Sequence, residues 1–206
     1  MNNRIGTSGC QMKCVACSQV CPTAAIRPIT LEEKYGIGEF ADKGPIKTGT
    51  AFVDRNRCLP WAMAKPCIVC EENCPVSPKA IRTSEVYQEL EYVNIVVRFV
   101  EGELITADID TDINLATGDY YLKLGENRYK IINRTGSVLT LDRSIEAADK
   151  VAKPRVLVHL QRPIVDINKC IGCGTCEHEC PVSGKRAIRI TAEGETRDPS
   201  NRLLLE

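Results

Sequence analysis

The middle of the chain alternates apolar and polar residues with the period of a β-strand. Tyr120, Leu122 and Leu124 alternate with Tyr121 and Lys123. Because side chains two positions apart share one face of a strand, this pattern predicts a strand with one buried face. Two further runs with the same period contain the apolar residues Val93, Ile95, Val97 and Phe99, and Val156, Val158 and Leu160.

Glycine-containing turn sequences separate the predicted strands, at 117–119, 125–127 and 133–136. Glycine and asparagine favour turns because they tolerate positive φ angles. Only 144–150 predicts a helical turn. Residues 86–162 contain no cysteine, and we expect them to form five or six short strands arranged as a small β-barrel or sandwich.

Short repeats flank this β region on both sides. An apolar segment ending in Asp occurs at Ala51–Asp54 and again at Pro163–Asp166. Each of three Cys-Pro pairs in the chain is followed by an Ala-Ile pair, at Ile26, Ile81 and Ile188. The repeats predict a unit made of a strand, a loop, a short helix that opens near the Cys-Pro, and a return strand around the Ile.

Composition and charge narrow the function classes. The 206 residues include 12 Cys but only 3 Phe and 1 Trp, which is unusual for a domain of this size. Basic and acidic residues number 27 each, so the formal charge is zero and we expect no nucleic-acid partner. No apolar run reaches the roughly 18 residues that cross a bilayer, so no transmembrane segment is expected.

The cysteines fall in three runs of four, which are Cys10, Cys14, Cys17 and Cys21; Cys58, Cys67, Cys70 and Cys74; and Cys170, Cys173, Cys176 and Cys180. Disulfides usually close long loops, whereas four thiols at one place suit a metal centre. A structural zinc normally takes two Cys pairs a dozen or more residues apart. We therefore expect all twelve cysteines to be ligands of larger metal clusters, and we expect no catalytic residue.

The third run has the spacing C-x2-C-x2-C-x3-C-P, which is the bacterial run for a [4Fe–4S] cluster. Gly172 and Gly174 allow its backbone to approach a cluster closely and to adopt positive φ angles. The proline after Cys180 directs that cysteine away from the first three, so Cys180 is available to another cluster.

The other two runs end in the same way but differ in their first cysteine. Eight residues separate Cys58 from Cys67, and their apolar content would shield a cluster from water. The first run, with C-x3-C-x2-C at Cys10, Cys14 and Cys17, also has the spacing of radical S-adenosylmethionine enzymes. A fourth thiol at Cys21, and a gap of only 36 residues before Cys58, count against that interpretation.

These motifs resemble those of bacterial-type multi-cluster [4Fe–4S] ferredoxins, and most closely the electron-transfer subunits of the periplasmic nitrate reductase and methylamine-utilisation accessory type. The resemblance lies in the segment from Lys13 to Pro28, the Gly-rich linker beyond Leu31-Glu32-Glu33 and the later Cys-Pro runs. It covers residues 1 to about 85 and 163–192. This chain departs from those relatives in an extra residue after Cys10, a longer loop before Cys67, and three clusters where four are common.

The expected fold class is α+β, namely a bicluster ferredoxin-like fold extended by a third cluster loop and interrupted by the inserted β-barrel or sandwich. The N-terminal iron–sulfur segment would span 1–85, the insert 86–162 and the C-terminal iron–sulfur segment 163–206. Only the second and third runs have a leading strand, so we expect these two runs to pair.

Pairing would exchange the fourth cysteine of each run. Cys180 would then serve the cluster of the second run and Cys74 that of the third, while the first run would close on Cys21. Pairing of the first run with the second remains the alternative.

We expect an electron carrier, not an enzyme, whose three [4Fe–4S] clusters relay single electrons between redox protein partners such as reductase or dehydrogenase subunits. Two other functions stay open: a radical S-adenosylmethionine-type enzyme that uses Cys10, Cys14 and Cys17, and a cluster-stabilised scaffold subunit. The start of the chain has no signal peptide, which predicts the cytoplasm. The relatives are exported behind a twin-arginine signal, so we expect a periplasmic protein if such a segment precedes Met1.

Overall fold

The computed structural model of the chain describes residues 9–91, 96–100, 103–107, 115–116, 118–136, 138–146 and 153–196. The chain divides into two compact units. We call one the cysteine-rich unit, which comprises Met1–Cys58, Ile68–Thr83 and Pro163–Glu206, and the other the sheet unit, which comprises Leu59–Cys67 and Ser84–Arg162. Every cysteine except Cys67 therefore belongs to the cysteine-rich unit.

The helices are short and are, in chain order, α1 Ala16–Gln19, α2 Leu31–Tyr35, α3 Leu59–Ala62, α4 Val69–Glu72 and α5 Thr175–Glu179, with a 3-10 turn at Gly38–Phe40. Helices α1, α4 and α5 carry the third cysteine of each run, Cys17, Cys70 or Cys176. Each helix ends before the Cys-Pro, so the prediction of a helix that opens near the Cys-Pro is wrong. Proline has no N–H and disfavours helical backbone in the residue before it, which explains the earlier end.

The strands are β1 Thr50–Val53, β2 Ile81–Glu89, β3 Val96–Val100, β4 Glu103–Ala107, β5 Tyr120–Leu124, β6 Asn127–Thr135, β7 Val138–Leu141, β8 Arg155–Val165 and β9 Ile188–Thr191. The predicted leading strand before Cys58 and the return strands at Ile81 and Ile188 are confirmed. The return strand expected around Ile26 is wrong, since that segment has no regular structure.

The second and third runs start from the same backbone arrangement in the cysteine-rich unit. Strand β1 pairs with β9 in antiparallel register, and the N–H of Asp54 then donates to the carbonyl of Ala187 at 2.7 Å. In the second copy, the N–H of Asp166 donates to the carbonyl of Ala80, also at 2.7 Å. The two strand-to-loop connections therefore repeat each other in hydrogen bonding as well as in sequence.

The turn that follows each Asp places the first cysteine of the run. The N–H of Cys58 donates to the carbonyl of Asp54 at 3.0 Å, and that of Cys170 donates to the carbonyl of Asp166 at 2.9 Å. In both copies the Asp carboxylate also accepts an N–H two residues later, at 3.1 Å. This local chemistry explains why Val-Asp precedes both cysteines.

Strands β2 to β8 form one seven-stranded sheet in the order β2-β8-β5-β6-β7-β4-β3. Its two edge strands do not pair with each other in the described part of the chain, so the expectation of a closed barrel is wrong, whereas the sandwich stays a prediction. Strand β6 pairs first with β5 and then with β7, with an irregularity between Ile131 and Asn133 that bends the strand. An alternating sequence predicts strands and their buried faces, but it does not predict which edges meet.

The sheet unit has a hydrophobic core that consists of Tyr120, Leu122, Leu124, Tyr129, Ile131, Leu139, Val156, Val158 and Leu160. The predicted buried face of β5 is therefore confirmed. Strand β6 continues through Thr135, so the turn expected at 133–136 begins later, at Gly136. Residues 144–146 are not helical, while 147–150 and the predicted strand residues Val93 and Ile95 lie outside the described residues.

Candidate metal centres

Two glycines shape the loop of the third run. Gly172 and Gly174 have φ angles of 70° and 79°, a region that favours glycine. A Cβ on Gly172 would lie 2.6 Å from the backbone N and O of Gly49. The N–H of Thr48 donates to the carbonyl of Ile171 at 3.0 Å. The loop therefore packs directly against the backbone that leads into β1.

Four cysteines from two different runs line one cavity in the cysteine-rich unit. Cys170, Cys173 and Cys176 come from the third run, and Cys74 is the last cysteine of the second. The cavity encloses about 290 Å³ of empty space, part of which is open to solvent. Its other walls are Pro75, Val76, Ala80, Ile81, Ile171, Gly174 and Ile190. The four cysteines are the set that an exchange between the second and third runs would bring together.

The donors around this cavity fit a [4Fe–4S] cluster, which takes one thiolate on each of its four irons. The N–H of Ala51 donates to the sulfur of Cys170 at 3.3 Å, and such hydrogen bonds stabilise a ligating thiolate. None of the twelve cysteines forms a disulfide. Among the described residues, no three His, Cys, Asp or Glu side chains lie close enough together to share a single metal ion.

Burial and neighbouring sulfur atoms both act on Cys176, which lies on α5 and is 5% exposed. Burial raises the pKa of its thiol, and the nearby thiolates of Cys170, Cys173 and Cys70 raise it further. A cationic metal centre reverses this effect because it stabilises bound thiolates. Cys70 lies on α4, which packs against α5, so the second and third runs face each other within the unit.

A side-chain hydrogen bond beside the first cysteine of the second run connects this run to the segment that follows the third run. Cys58 and Cys180 are buried, with 8% and 7% of their surfaces exposed. Next to Cys58, the guanidinium of Arg57 donates to the carbonyl of Lys185 at 2.8 Å. This bond ties the turn before Cys58 to the segment that follows Cys180. Cys67 is half-buried and falls in the sheet unit.

The first run is built differently from the other two. Cys10, Cys14 and Cys17 are exposed and Cys21 is half-buried. No strand lies in the described residues 9–49, so no sheet holds this run. The N–H of Cys10 donates to the carbonyl of Cys173, which joins the start of the first run to the loop of the third.

The sulfur of Cys21 accepts hydrogen bonds from its own loop. The backbone N–H of Ile26, the hydroxyl of Thr23 and the backbone N–H groups of Thr23 and Ala25 lower the pKa of this thiol. Hydrogen bonds to a thiolate favour the charged form, which is the form that binds metal. Cys21 is therefore suited to be the fourth ligand of its own run.

The sequence analysis missed one charged residue at the first run. The Lys34 Nζ lies 3.4 Å from the Cys10 Sγ, and it donates to the carbonyls of Gln11 and Cys14, at 2.7 Å in each case. Lys34 stands 20 to 24 residues after these partners, and no motif or period connects them. Only the three-dimensional structure could have located it.

No helix in the described part of the chain is long and apolar enough to span a membrane.

Comparisons with known proteins support the chemistry of the third run. No curated protein and no solved structure matches the chain significantly. Residues 161–182, which include Cys170 to Cys180, match a family model described as a 4Fe-4S binding domain. The match supports an iron–sulfur protein of ferredoxin type that binds at least one [4Fe–4S] cluster.

Proposed function

We propose that this chain is an electron-transfer protein that carries three [4Fe–4S] clusters and relays single electrons between redox partner proteins. The cavity lined by Cys74, Cys170, Cys173 and Cys176 carries the proposal. Cysteines from two runs meet there, as they do in two-cluster ferredoxins. The family match over the third run supports the same cofactor.

Three sets of four cysteines would hold the clusters: Cys10, Cys14, Cys17 and Cys21; Cys58, Cys67, Cys70 and Cys180; and Cys74, Cys170, Cys173 and Cys176. The cavity supports the third set, and the hydrogen bond from Arg57 to Lys185 supports the second by tying the Cys58 turn to the Cys180 segment. The hydrogen bonds that lower the pKa of Cys21 support the first set.

The chain sets the conditions under which the clusters work. A bound [4Fe–4S] cluster supplies a one-electron centre. At the third set, Ala51 donates a hydrogen bond to the sulfur of Cys170, and Ile81, Ile171 and Ile190 limit access of water. Hydrogen bonds to sulfur and exclusion of solvent are two of the means by which a protein adjusts the potential of such a site.

The spatial order of the three sets differs from their order in the sequence. Cys10 of the first run donates its N–H to Cys173 of the third, and α4 of the second run packs against α5 of the third. We infer that the third set lies between the first and the second, so that clusters held by the three sets would supply one-electron centres in the order first, third, second.

The first set is the point at which a partner would exchange electrons with the relay. Cys10, Cys14 and Cys17 are exposed, whereas Cys170 and Cys176 are buried. Electron transfer between proteins needs one centre close to the surface. A reductase or dehydrogenase subunit is the partner class that fits the resemblance to nitrate reductase-type electron-transfer subunits.

An anaerobic redox titration followed by electron paramagnetic resonance tests this function. We expect three one-electron centres per chain that reduce and reoxidise reversibly within the range of about −700 to +450 mV in which such centres operate. A chain that contains iron and sulfide but takes up no electrons in this range would be a scaffold, and the proposal would be wrong.

A further inference from the structure

The ammonium group of Lys34 donates all of its hydrogen bonds to the first run. An ammonium group has three N–H donors, and here it has three acceptors: the sulfur of Cys10 and the carbonyls of Gln11 and Cys14. The contacts measure 3.4, 2.7 and 2.7 Å. The side chain is half-buried. A lysine with all three donors engaged by one loop has a defined position, unlike a surface lysine that points into water.

The helix that carries Lys34 is capped at its start. Thr30 precedes α2, and its hydroxyl accepts the N–H of Glu33 at 3.1 Å. Glu33 also forms an ion pair with Arg27, which follows the first run. A helix of five residues is not stable by itself, so these contacts account for its presence at this place.

The end of the same helix is closed by the following loop. Gly36 takes a left-handed conformation, with a φ of 62°, and a Cβ at this position would overlap the carbonyl of Gly44. The N–H of Ile46 donates to the carbonyl of Lys34 at 3.1 Å. The returning chain therefore holds the backbone of Lys34 at a position from which its ammonium group reaches Cys10 and Cys14.

Within the described residues, no paired strand supports the first run, in contrast to the third. At Cys170, a backbone N–H from a paired strand reaches the sulfur. At Cys10, the donor to sulfur is a full positive charge. Charge-assisted hydrogen bonds are stronger than neutral ones, and a positive charge beside a cluster favours its more negative, reduced state. The effect depends on ionic strength because the site is partly exposed to water.

We propose that Lys34 is the positioning residue of the first set: it holds Cys10 and its loop in place and raises the reduction potential of the first cluster above the value that the thiolates alone would give. This inference rests on the proposed function, since it needs a cluster at Cys10, Cys14, Cys17 and Cys21. Lys34 would thus hold the first set in place, as paired strands do for the second and third runs.

The test compares the intact protein with Lys34→Met, which removes the charge, and with Lys34→Arg, which retains it. Lys43→Met is the matched control because Lys43 lies in the same linker and its Nζ contacts the ring of Phe40, 5.9 Å from the centroid. All four proteins are purified anaerobically and titrated under one buffer and salt condition. A Cys17→Ser variant identifies which resonance belongs to the first cluster.

We expect Lys34→Met to move the midpoint potential of the first cluster to a more negative value while the other two potentials stay the same. Lys34→Arg should restore most of the shift, and Lys43→Met should leave all three potentials unchanged. An unchanged first potential in Lys34→Met, with full iron content, would overturn the inference. A wild-type protein without a cluster in the first run would instead overturn the proposed function.

A second measurement keeps the test decisive if Lys34→Met loses its first cluster. Protein labelled with lysine that carries ¹⁵N only at Nζ, which leaves the backbone nitrogen of Lys13 unlabelled, is reduced and examined by pulsed electron paramagnetic resonance, which detects nitrogen nuclei close to a cluster. We expect a lysine nitrogen coupling to the first cluster in the wild-type protein and in Lys43→Met, and no such coupling in Lys34→Arg. A wild-type spectrum without lysine coupling would overturn the inference.

Discussion

The two units of this molecule have interiors of different kinds. The sheet unit buries large hydrophobic side chains, among which Leu122, Tyr129 and Val158 are 0% exposed. Among the described residues of the cysteine-rich unit, the buried hydrophobic residues other than proline are Ala51, Cys58, Cys70, Ala80, Ile81, Cys170, Cys176, Cys180, Ala187 and Ile188. Half of these are cysteines, and only two are larger than alanine or cysteine.

This difference shows that one chain can stabilise its parts by two separate means. Apolar burial contributes about 25 cal/mol per Å² removed from water, so large side chains can stabilise the sheet unit without any cofactor. Alanine and cysteine bury little area. Metal ligation can replace a hydrophobic core because the free energy of binding then contributes to folding. The cysteine-rich unit should therefore depend on metal, and the sheet unit should not.

Removal of iron gives the largest expected effect. Anaerobic chelation should abolish hydrogen-exchange protection in β1 and β9, which belong to the cysteine-rich unit, while β5 and β6 keep theirs. Hydrogen exchange read by mass spectrometry before and after chelation checks this. Equal retention of protection in both units would show that the cysteine-rich unit folds without metal. That result would contradict the proposed difference between the two units.

Loss of a single ligand should remove one cluster and distinguish the runs. Cys74→Ala should lose about four of about twelve irons and expose Cys170, Cys173 and Cys176 to alkylation. Cys21→Ala should lose a similar amount of iron but expose only cysteines of the first run. Iron analysis with alkylation mapping reads both variants. Exposure of Cys10, Cys14 and Cys17 in Cys74→Ala would favour pairing of the first run with the second.

A core substitution should affect the sheet unit alone. Leu122→Ala removes a fully buried side chain and should lower the free energy of unfolding of this unit by about 2–5 kcal/mol. Ile132→Ala, at a position that is 58% exposed, should change it by less than about 0.5 kcal/mol. Denaturant unfolding followed at β5 and β6 measures both. Because Cys67 of the second set belongs to the sheet unit, the contradicting outcome is loss of iron from the first or third set in Leu122→Ala.

Glycine substitutions should separate backbone strain from close packing in the cysteine-rich unit. Gly172 and Gly184 have φ angles of 70° and 67°, but only at Gly172 would a Cβ meet another backbone. Gly184→Ala should destabilise the cysteine-rich unit by about 1 kcal/mol, as expected for an alanine in the left-handed conformation. Gly172→Ala should cost more, because the third loop must also move away from Gly49. Thermal release of iron from the intact protein measures the difference, and equal midpoints would contradict this explanation.

Much of the local structure follows from the sequence. The alternation of Tyr120, Leu122 and Leu124 predicted β5 and its buried face, since burial on one side of a strand imposes a period of two. The repeated Val-Asp predicted a strand before Cys58, and the structure adds that the Asp closes the turn to the cysteine. Both depend on residues close together in sequence.

Features that depend on distant residues were predicted less well. The open sheet could not be distinguished from a barrel because alternation does not specify which strands become edges. The expected return strand at Ile26 failed because no partner strand leads into the first run. Lys34 could not be identified as part of the first set, since its contacts form only when α2 folds back on residues 10–14. The pairing through Cys74 was predicted from the leading strands; the cavity that Cys74 shares with Cys170, Cys173 and Cys176 supports it, and it stays a prediction.

The central claim is that twelve cysteines in three sets hold three [4Fe–4S] clusters, and metal and sulfide analysis of the anaerobically purified wild-type chain tests it most directly. The account predicts about twelve iron atoms and about twelve acid-labile sulfides per chain, with no zinc in stoichiometric amount. Zinc bound in a fixed ratio to the chain, with little iron or sulfide, would contradict it.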